Sequence, residues 1–325
     1  MATYFLRKAS LCWLAAAVLF AISLAAPAGA AGGTTFSSIV VFGDSLSDPG
    51  NDFALINMQN TPPYDGLDPL TLIPHAPYAK GGHHYSNGAT WVEQFARTRG
   101  LSAYVTPAWQ SAGTKAANYA VGGGRAHNEA GYVNLQQQVS QFMTDAGGQA
   151  ASDALYVMEF GGNDLRDILF GGDPNVIIPM AIQSIQNNIL YLYGAGARKF
   201  LVWNVPDLSL TPAIIALDSV MPGTQFAVLQ LVEAYNAGLN ALLAGLSQQL
   251  PGIEIRRYDA AASVRAFVSD PEAYELDVVN AACVTPLTPP FDCMEPDEYL
   301  FWDGIHPTRA VHGILAQQVA ELLAQ

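Results

Sequence analysis

A chain of 325 residues is long enough for one large domain or two small ones, and half of it is hydrophobic, sufficient for a sizeable core. Acidic side chains outnumber basic ones 28 to 14, a formal net charge of −14. Such a surface repels nucleic acid and anionic membranes, so neither is expected as a partner.

The chain does not begin as folded structure. Arg7 and Lys8 precede the apolar run Leu11 to Leu24, and Ala28, Gly29 and Ala30 form a small-residue cleavage pattern. Residues 1–30 therefore read as a secretory signal peptide and residues 31–325 as a single domain, secreted or periplasmic. The run is short for a bilayer span, and no later stretch of about 18 uninterrupted apolar residues predicts a transmembrane anchor. Removing residues 1–30 takes away two basic side chains and no acid, so the remainder is more acidic still. Cys12 leaves with it. Cys283 and Cys293, close together in an exported chain, read as a disulfide closing a small loop. A metal site is the weaker reading, because no histidine follows them until His306.

Ile39, Val40, Val41 and Phe42 form an unbroken β-favouring run, as in a central strand covered on both faces. It ends in Gly43, and Asp44, Ser45, Leu46, Ser47, Asp48, Pro49, Gly50 and Asn51 follow at once. Open α/β sheets hold their ligands at that carboxyl edge. A serine there becomes a nucleophile if a base reaches it, although the same residues also suit a capped turn. Asp52 to Gly88, rich in proline, tyrosine, glycine and histidine, reads as a long irregular loop whose apolar pieces, such as Leu70 to Pro74, either wall a cleft or tuck over the core. Its His75, His83 and His84 have no acidic partner at a ligand spacing, so no metal is expected.

Ala89 to Arg99 has a helical stripe in Trp91, Val92, Phe95 and Ala96. Asn118 to Val121 predicts a short strand running into Gly122, Gly123 and Gly124, where backbone N–H groups can approach a ligand. Val133 to Asp145 is a helix, and Ala154 to Phe160 a buried strand ending in Gly161, Gly162, Asn163 and Asp164. Ile168, Leu169 and Phe170 are either core or a lipophilic wall beside the site. Asn175 to Tyr193 is a helix, Lys199 to Val205 a strand, Leu208 to Gly223 an insertion, Thr224 to Gln249 a long helix and Ile253 to Tyr258 the last strand. Strands alternating with helices predict βαβ units and a three-layer α/β/α sandwich on a mainly parallel sheet. Phe301 to Thr308 then leads into a final amphipathic helix marked by Val311, Ile314, Leu315, Val319, Leu322 and Leu323, with Pro307 suited to its first position. Asp303, three residues before His306, can turn its carboxylate onto one ring nitrogen and leave the other for a nucleophile. Taken singly, both would usually be helix caps.

Four of these clusters, in this order, resemble the GDSL, or SGNH, family of serine esterases and lipases. Gly43-Asp44-Ser45-Leu46-Ser47-Asp48 with Gly50-Asn51 is similar to its nucleophile block, Asn118-Tyr119-Ala120-Val121-Gly122-Gly123 to its glycine block, Gly161-Gly162-Asn163-Asp164 to its asparagine block, and Asp303-Gly304-Ile305-His306-Pro307 to its acid and base block. Nearly the whole mature chain is covered. Within the family it looks most like the secreted bacterial branch of lysophospholipases and acyltransferases, without a translocator barrel. The resemblance implies the flavodoxin-like SGNH-hydrolase fold and a triad of Ser45, Asp303 and His306. It also implies an oxyanion hole from the amides of Ser45 and Gly123 and the side chain of Asn163. Three consecutive glycines leave the second donor ambiguous; matching Asn118 and Ala120 to the family favours Gly123. No metal or organic cofactor is required. The implied substrate is an acyl ester or lipid, with acyl transfer to a sterol as the alternative and a non-catalytic binding protein as a remoter one. The α/β-hydrolase elbow, G-x-S-x-G, fits poorly because Ser47 replaces its second glycine.

Overall fold

The computed structural model describes residues 33–110 and 115–325; the signal-peptide reading of residues 1–30 lies outside them. The strand β1 (Ser38–Gly43) is buried from Ile39 onward and leads into the short helix α1 (Asn51–Ile56), which interrupts the stretch expected to be irregular. The helix α2 (Trp91–Thr98) follows, its Thr90 and Glu93 forming a capping box. Next come α3 (Leu135–Asp145), β2 (Ala154–Glu159), α4 (Gly162–Leu169), α5 (Pro174–Gly194) and β3 (Lys199–Trp203). After these stand α6 (Pro212–Val220), α7 (Thr224–Gln249), β4 (Glu254–Tyr258) and α8 (Ala260–Ser269). The chain closes with β5 (Val278–Ala282), β6 (Tyr299–Phe301) and α9 (Arg309–Ala324).

Strands β1 to β4 form a parallel sheet in sequence order, with Val41 opposite Val157 and Val157 opposite Leu201. Side chains of a strand alternate between faces, and here both faces are apolar. Val40, Phe42, Tyr156, Met158, Phe200 and Val202 pack with helices α3, α5 and α7 on one side. Ile39, Val41, Leu155, Val157, Leu201 and Trp203 pack with α2 and α9 on the other. The result is the three-layer α/β/α arrangement. Helix α7 is long and apolar enough by length and composition to cross a membrane. Its Val228, Val232, Tyr235, Leu239, Leu243 and Leu246 are instead spent on the core.

Four local expectations change. Asn118 to Val121 lies beside β1, bonded through Val41 N to Ala117 O and Tyr119 N to Val41 O, but remains an isolated bridge rather than a strand. Asn118 diverts its own side-chain oxygen to the Ala120 amide, which bends the segment out of a regular ladder. The insertion Leu208 to Gly223 contains α6, opened by Pro212 at a position where the missing N–H costs nothing. Strand β4 closes the main sheet but is not the last strand: β5 and β6 make a second, two-stranded parallel sheet. Finally, Pro307 stands just outside α9, whose N-cap is Thr308, accepting from the Val311 amide. Directly after β5, Cys283 and Cys293 form a disulfide. It sits in a small cluster with Tyr64, Tyr78 and Trp302, which ties the long early loop to the Asp303 turn.

Candidate active site

Gly43 and Glu159 are register partners at the carboxyl ends of β1 and β2, so the segments that leave these strands emerge side by side. The exit from β1 is fixed by Gln138, which donates to the Gly43 carbonyl at 2.8 Å and accepts from its amide at 2.9 Å. Asp48 then organises the turn. Its carboxylate accepts from the amides of Gly50 (2.8 Å), Asn51 (2.6 Å), Asp52 (3.1 Å) and Gly122 (2.9 Å), binding the serine loop to the glycine loop. Burial nevertheless pushes its carboxyl up to about 7. Asn51 donates to the carbonyls of Asn118 and Ala120, and Asn118 returns a bond to the Ser47 carbonyl, each at 2.8 Å. Beneath them Asp44 and Glu159 hydrogen-bond to each other while fully buried. Burial, and then the charge of Asp44, lifts Glu159 well above the carboxylate range, and burial pushes Asp44 up to about 6. Neither of these two acids' pairing was legible in the sequence.

Ser45 is half-buried at the start of this loop, and its Oγ lies 2.8 Å from His306 Nε2, across 261 positions of sequence. The other ring nitrogen, Nδ1, lies 2.8 and 3.0 Å from the two oxygens of Asp303. Asp303 is fully buried and is held by three further donors: the amides of Ile305 (2.9 Å) and His306 (2.8 Å), and the hydroxyl of Tyr78 (2.9 Å). Because the carboxylate accepts at Nδ1, the imidazole carries its proton there and presents a lone pair to the serine hydroxyl. Tyr78 comes from the proline- and tyrosine-rich loop, where no sequence signal set it apart from its neighbours.

The three consecutive glycines differ in what their amides do. Gly122 N is bonded to Asp48, and Gly124 N to the Val121 carbonyl at 3.0 Å. Among the described residues the amides of Gly123 and Ser45 donate to no protein acceptor. Gly123 has φ +74, a left-handed conformation that glycine adopts without strain. Asn163, in the first turn of α4, donates to Asp44 Oδ2 at 3.2 Å and to the Gly124 carbonyl at 3.1 Å. Its neighbour Asp164 accepts from the amides of Ala126 and His127 and sits 2.7 Å from His127 Nδ1, raising the histidine's pKa. Such a corner presents two unengaged amides and one weakly engaged side-chain amide on and around the serine loop.

The early histidines do not gather. His83 stacks on Phe53 with centroids 3.6 Å apart, and His84 pairs with Glu93 at 2.8 Å. Among the described residues the one grouping of three with metal-ligating atoms in mutual reach is His127, Glu129 and Asp167. Arg125 already holds Asp167 through two hydrogen bonds, of 2.8 and 2.9 Å, so that acid is committed to a guanidinium.

Residues 39–319 match the family described as GDSL-like Lipase/Acylhydrolase. A GDSL esterase/lipase of Arabidopsis thaliana is 27% identical over 343 residues, which span 93% of this chain and 89% of the plant protein. The thermolabile hemolysin of Vibrio parahaemolyticus is 25% identical over 305 residues, 88% of this chain and 63% of the relative. A solved GDSL-like lipase from Bacteroides thetaiotaomicron superposes with a TM-score of 0.41 at 12% identity, covering 88% of this chain and 87% of its own.

Proposed function

The chain belongs to the GDSL-like lipase/acylhydrolase family and is a carboxylic ester hydrolase, and from that premise we propose that it works through an acyl-enzyme on Ser45. The observation that supports this reading is the run of short contacts from Asp303 through His306 to the Ser45 hydroxyl. Ser45 Oγ attacks the ester carbonyl carbon as its proton passes to His306 Nε2. Asp303, accepting at Nδ1, stabilises the imidazolium that forms. The bond to the alkoxy group breaks as His306 returns that proton to the leaving alcohol. Water then repeats the cycle: its proton goes to His306, its oxygen to the acyl carbon, and the acid departs with Ser45 reprotonated.

The negative charge that develops on the carbonyl oxygen is met by the amides of Ser45 and Gly123, which among the described residues have no competing protein acceptor. Asn163 joins them by trading one of its long bonds for the stronger one to an oxyanion. Purified Ser45→Ala, assayed on p-nitrophenyl acyl esters, is expected to lose about a thousandfold or more of its kcat/KM. Turnover equal to wild type would remove Ser45 from the mechanism.

The finer assignment to a secreted enzyme is supported by the signal pattern ahead of the domain, and a phospholipase-like activity only by the resemblance of the four blocks. Exported protein should begin at Ala31 on amino-terminal sequencing; an intact Met1 on protein recovered from the medium would refute the leader. A sterol or other alcohol would use the same acyl-enzyme, and product analysis with phospholipid plus cholesterol separates transfer from hydrolysis.

A further inference from the structure

Arg125 directly follows the three glycines, and its side chain turns back along them. It is 2% exposed, so its charge is held almost wholly inside the protein. Nη1 donates to the Gly123 carbonyl, while Nε and Nη2 donate to the two oxygens of Asp167 at 2.9 and 2.8 Å. The Tyr132 ring covers the guanidinium, its centroid 3.6 Å from the central carbon. A Cβ on Gly123 would stand 3.2 Å from that ring and 3.5 Å from Nη1, so ring and guanidinium close around this one glycine. Burying a cation is costly, and the Asp167 side chain, 21% exposed, could be solvated without it. The ion pair alone therefore does not account for where the guanidinium lies.

The Gly123 N–H belongs to the peptide that joins Gly122 to Gly123, and a planar peptide turns as one unit about the bonds on either side. Ahead of it the Gly122 amide is anchored on Asp48 at 2.9 Å, and after it the Gly124 amide is anchored on the Val121 carbonyl at 3.0 Å. Between these anchors the Gly123 carbonyl is taken by Arg125. Consecutive glycines have the widest choice of φ and ψ, so an amide among them keeps one direction only where its neighbours are pinned. Asp167 stands on α4 four residues after Asn163, and residues four apart share a helix face. The helix that carries the side-chain donor thus also braces, through Asp167 and Arg125, the loop that carries the main-chain donor.

We propose that Arg125 is a positioning residue for ester hydrolysis: gripping the Gly123 carbonyl from its base on Asp167, it aims the Gly123 amide at the developing oxyanion and fixes that amide relative to Asn163. The proposal rests on the Ser45 hydrolase reading and adds a residue that touches neither the substrate nor the reacting atoms. An oxyanion hole is effective because its donors need no reorganisation at the moment of reaction. A charge-assisted bond to the carbonyl holds more firmly than a neutral one, and the planar fork lets a single side chain grip Gly123 and Asp167 together.

The test compares p-nitrophenyl butyrate with its thionoester, in which sulfur replaces the carbonyl oxygen, in the full-length wild type, Arg125→Met, Arg125→Lys and Asp167→Asn. Sulfur is larger and a weaker acceptor, so donors aimed at oxygen favour the oxo ester, and misaimed donors favour it less. Arg125→Met should lower kcat/KM for the oxo ester about 10- to 100-fold, almost entirely in kcat, and should shrink the oxo-to-thiono ratio about tenfold. Arg125→Lys, which keeps a donor but not the fork, should fall between, and Asp167→Asn should move the ratio in the same direction. No loss in Arg125→Met, or an equal loss on both esters, overturns the proposal; where that variant does not fold, the same result in Asp167→Asn overturns it. If wild type turns over neither ester, the hydrolase reading has failed, and nitrogen-15 relaxation decides the positioning role alone. The order parameter of the Gly123 amide should fall from about 0.85 in wild type to below about 0.6 in Arg125→Met. An order parameter equal to wild type overturns it.

Discussion

At the scale of single residues, the sharpest demand falls on Asn163. Its two bonds, at 3.1 and 3.2 Å, are longer than the 2.8 Å contacts that surround it, and one of its acceptors, Asp44, has a second partner in Glu159. In the ground state the side chain therefore contributes little that Ala would lose. In the transition state of the proposed mechanism it would face a full oxyanion, where one donor contributes about 2.7–4 kcal/mol. Asn163→Ala should cut kcat about 100- to 1,000-fold with KM and the melting temperature nearly unchanged; a loss confined to KM would assign Asn163 to substrate binding instead. Ser45, Asp303 and His306 could be picked out in the sequence because each lies in a short block whose order and residue types go together. Tyr78 and Glu159 could not. Tyr78 matters because it donates to an acid 225 positions away, and Glu159 because it shares a buried niche with Asp44. Both properties belong to tertiary neighbours and leave no local pattern.

At the scale of elements, the legible parts were those whose two faces are both buried. Strands β1, β2 and β3 read as continuous apolar runs because helices cover the sheet on each side, and α2 and α7 carried unmistakable stripes. Strands β5 and β6 escaped notice because β5 has no fully buried residue and β6 has three residues. The junction between β2 and α4 shows how tightly an element boundary can be specified. Gly161 has φ +125, and a Cβ there would stand 2.3 Å from Val205 Cγ2 and 2.7 Å from the Tyr235 ring. Tyr235 is fully buried on α7, so its ring has nowhere to retreat. Gly161→Ala combines a backbone penalty with overpacking and should destabilise the fold by about 2–4 kcal/mol. Urea denaturation measures this as a lower midpoint at unchanged slope, and a midpoint equal to wild type would mean that α4 shifts freely on the sheet.

For the whole molecule, the buried acids beneath the site make stability depend on pH in an unusual direction. Folding lifts Asp44 from 3.8 to about 6 and Asp48 from 3.8 to about 7, and carries Glu159 well above its ordinary value, in each case chiefly through burial. A group whose folded pKa is raised binds more protons when folded, so its contribution is complete below the unfolded pKa and is lost as pH rises through the folded one. For Asp44 the loss runs from pH 3.8 to about 6, and for Asp48 to about 7. His84 and His127, raised by their acidic partners against burial, act in the same sense above 6.5. His312 opposes them: burial lowers it from 6.5 to about 3, so its contribution falls away as acid protonates the unfolded chain. One histidine stands against three carboxyls, and the acids with depressed values, such as Glu93, lose their contribution only below pH ~4. The melting temperature should therefore be higher at pH 5.5 than at pH 8, by on the order of 5 °C. Glu159→Gln keeps a donor for Asp44 and an acceptor for Ser47 while removing one titration, so it should flatten the slope. A melting temperature that climbs from pH 5.5 to 8 in wild type would mean that these carboxyls ionise in the fold without cost, and that the pair beneath Ser45 holds no proton at neutral pH.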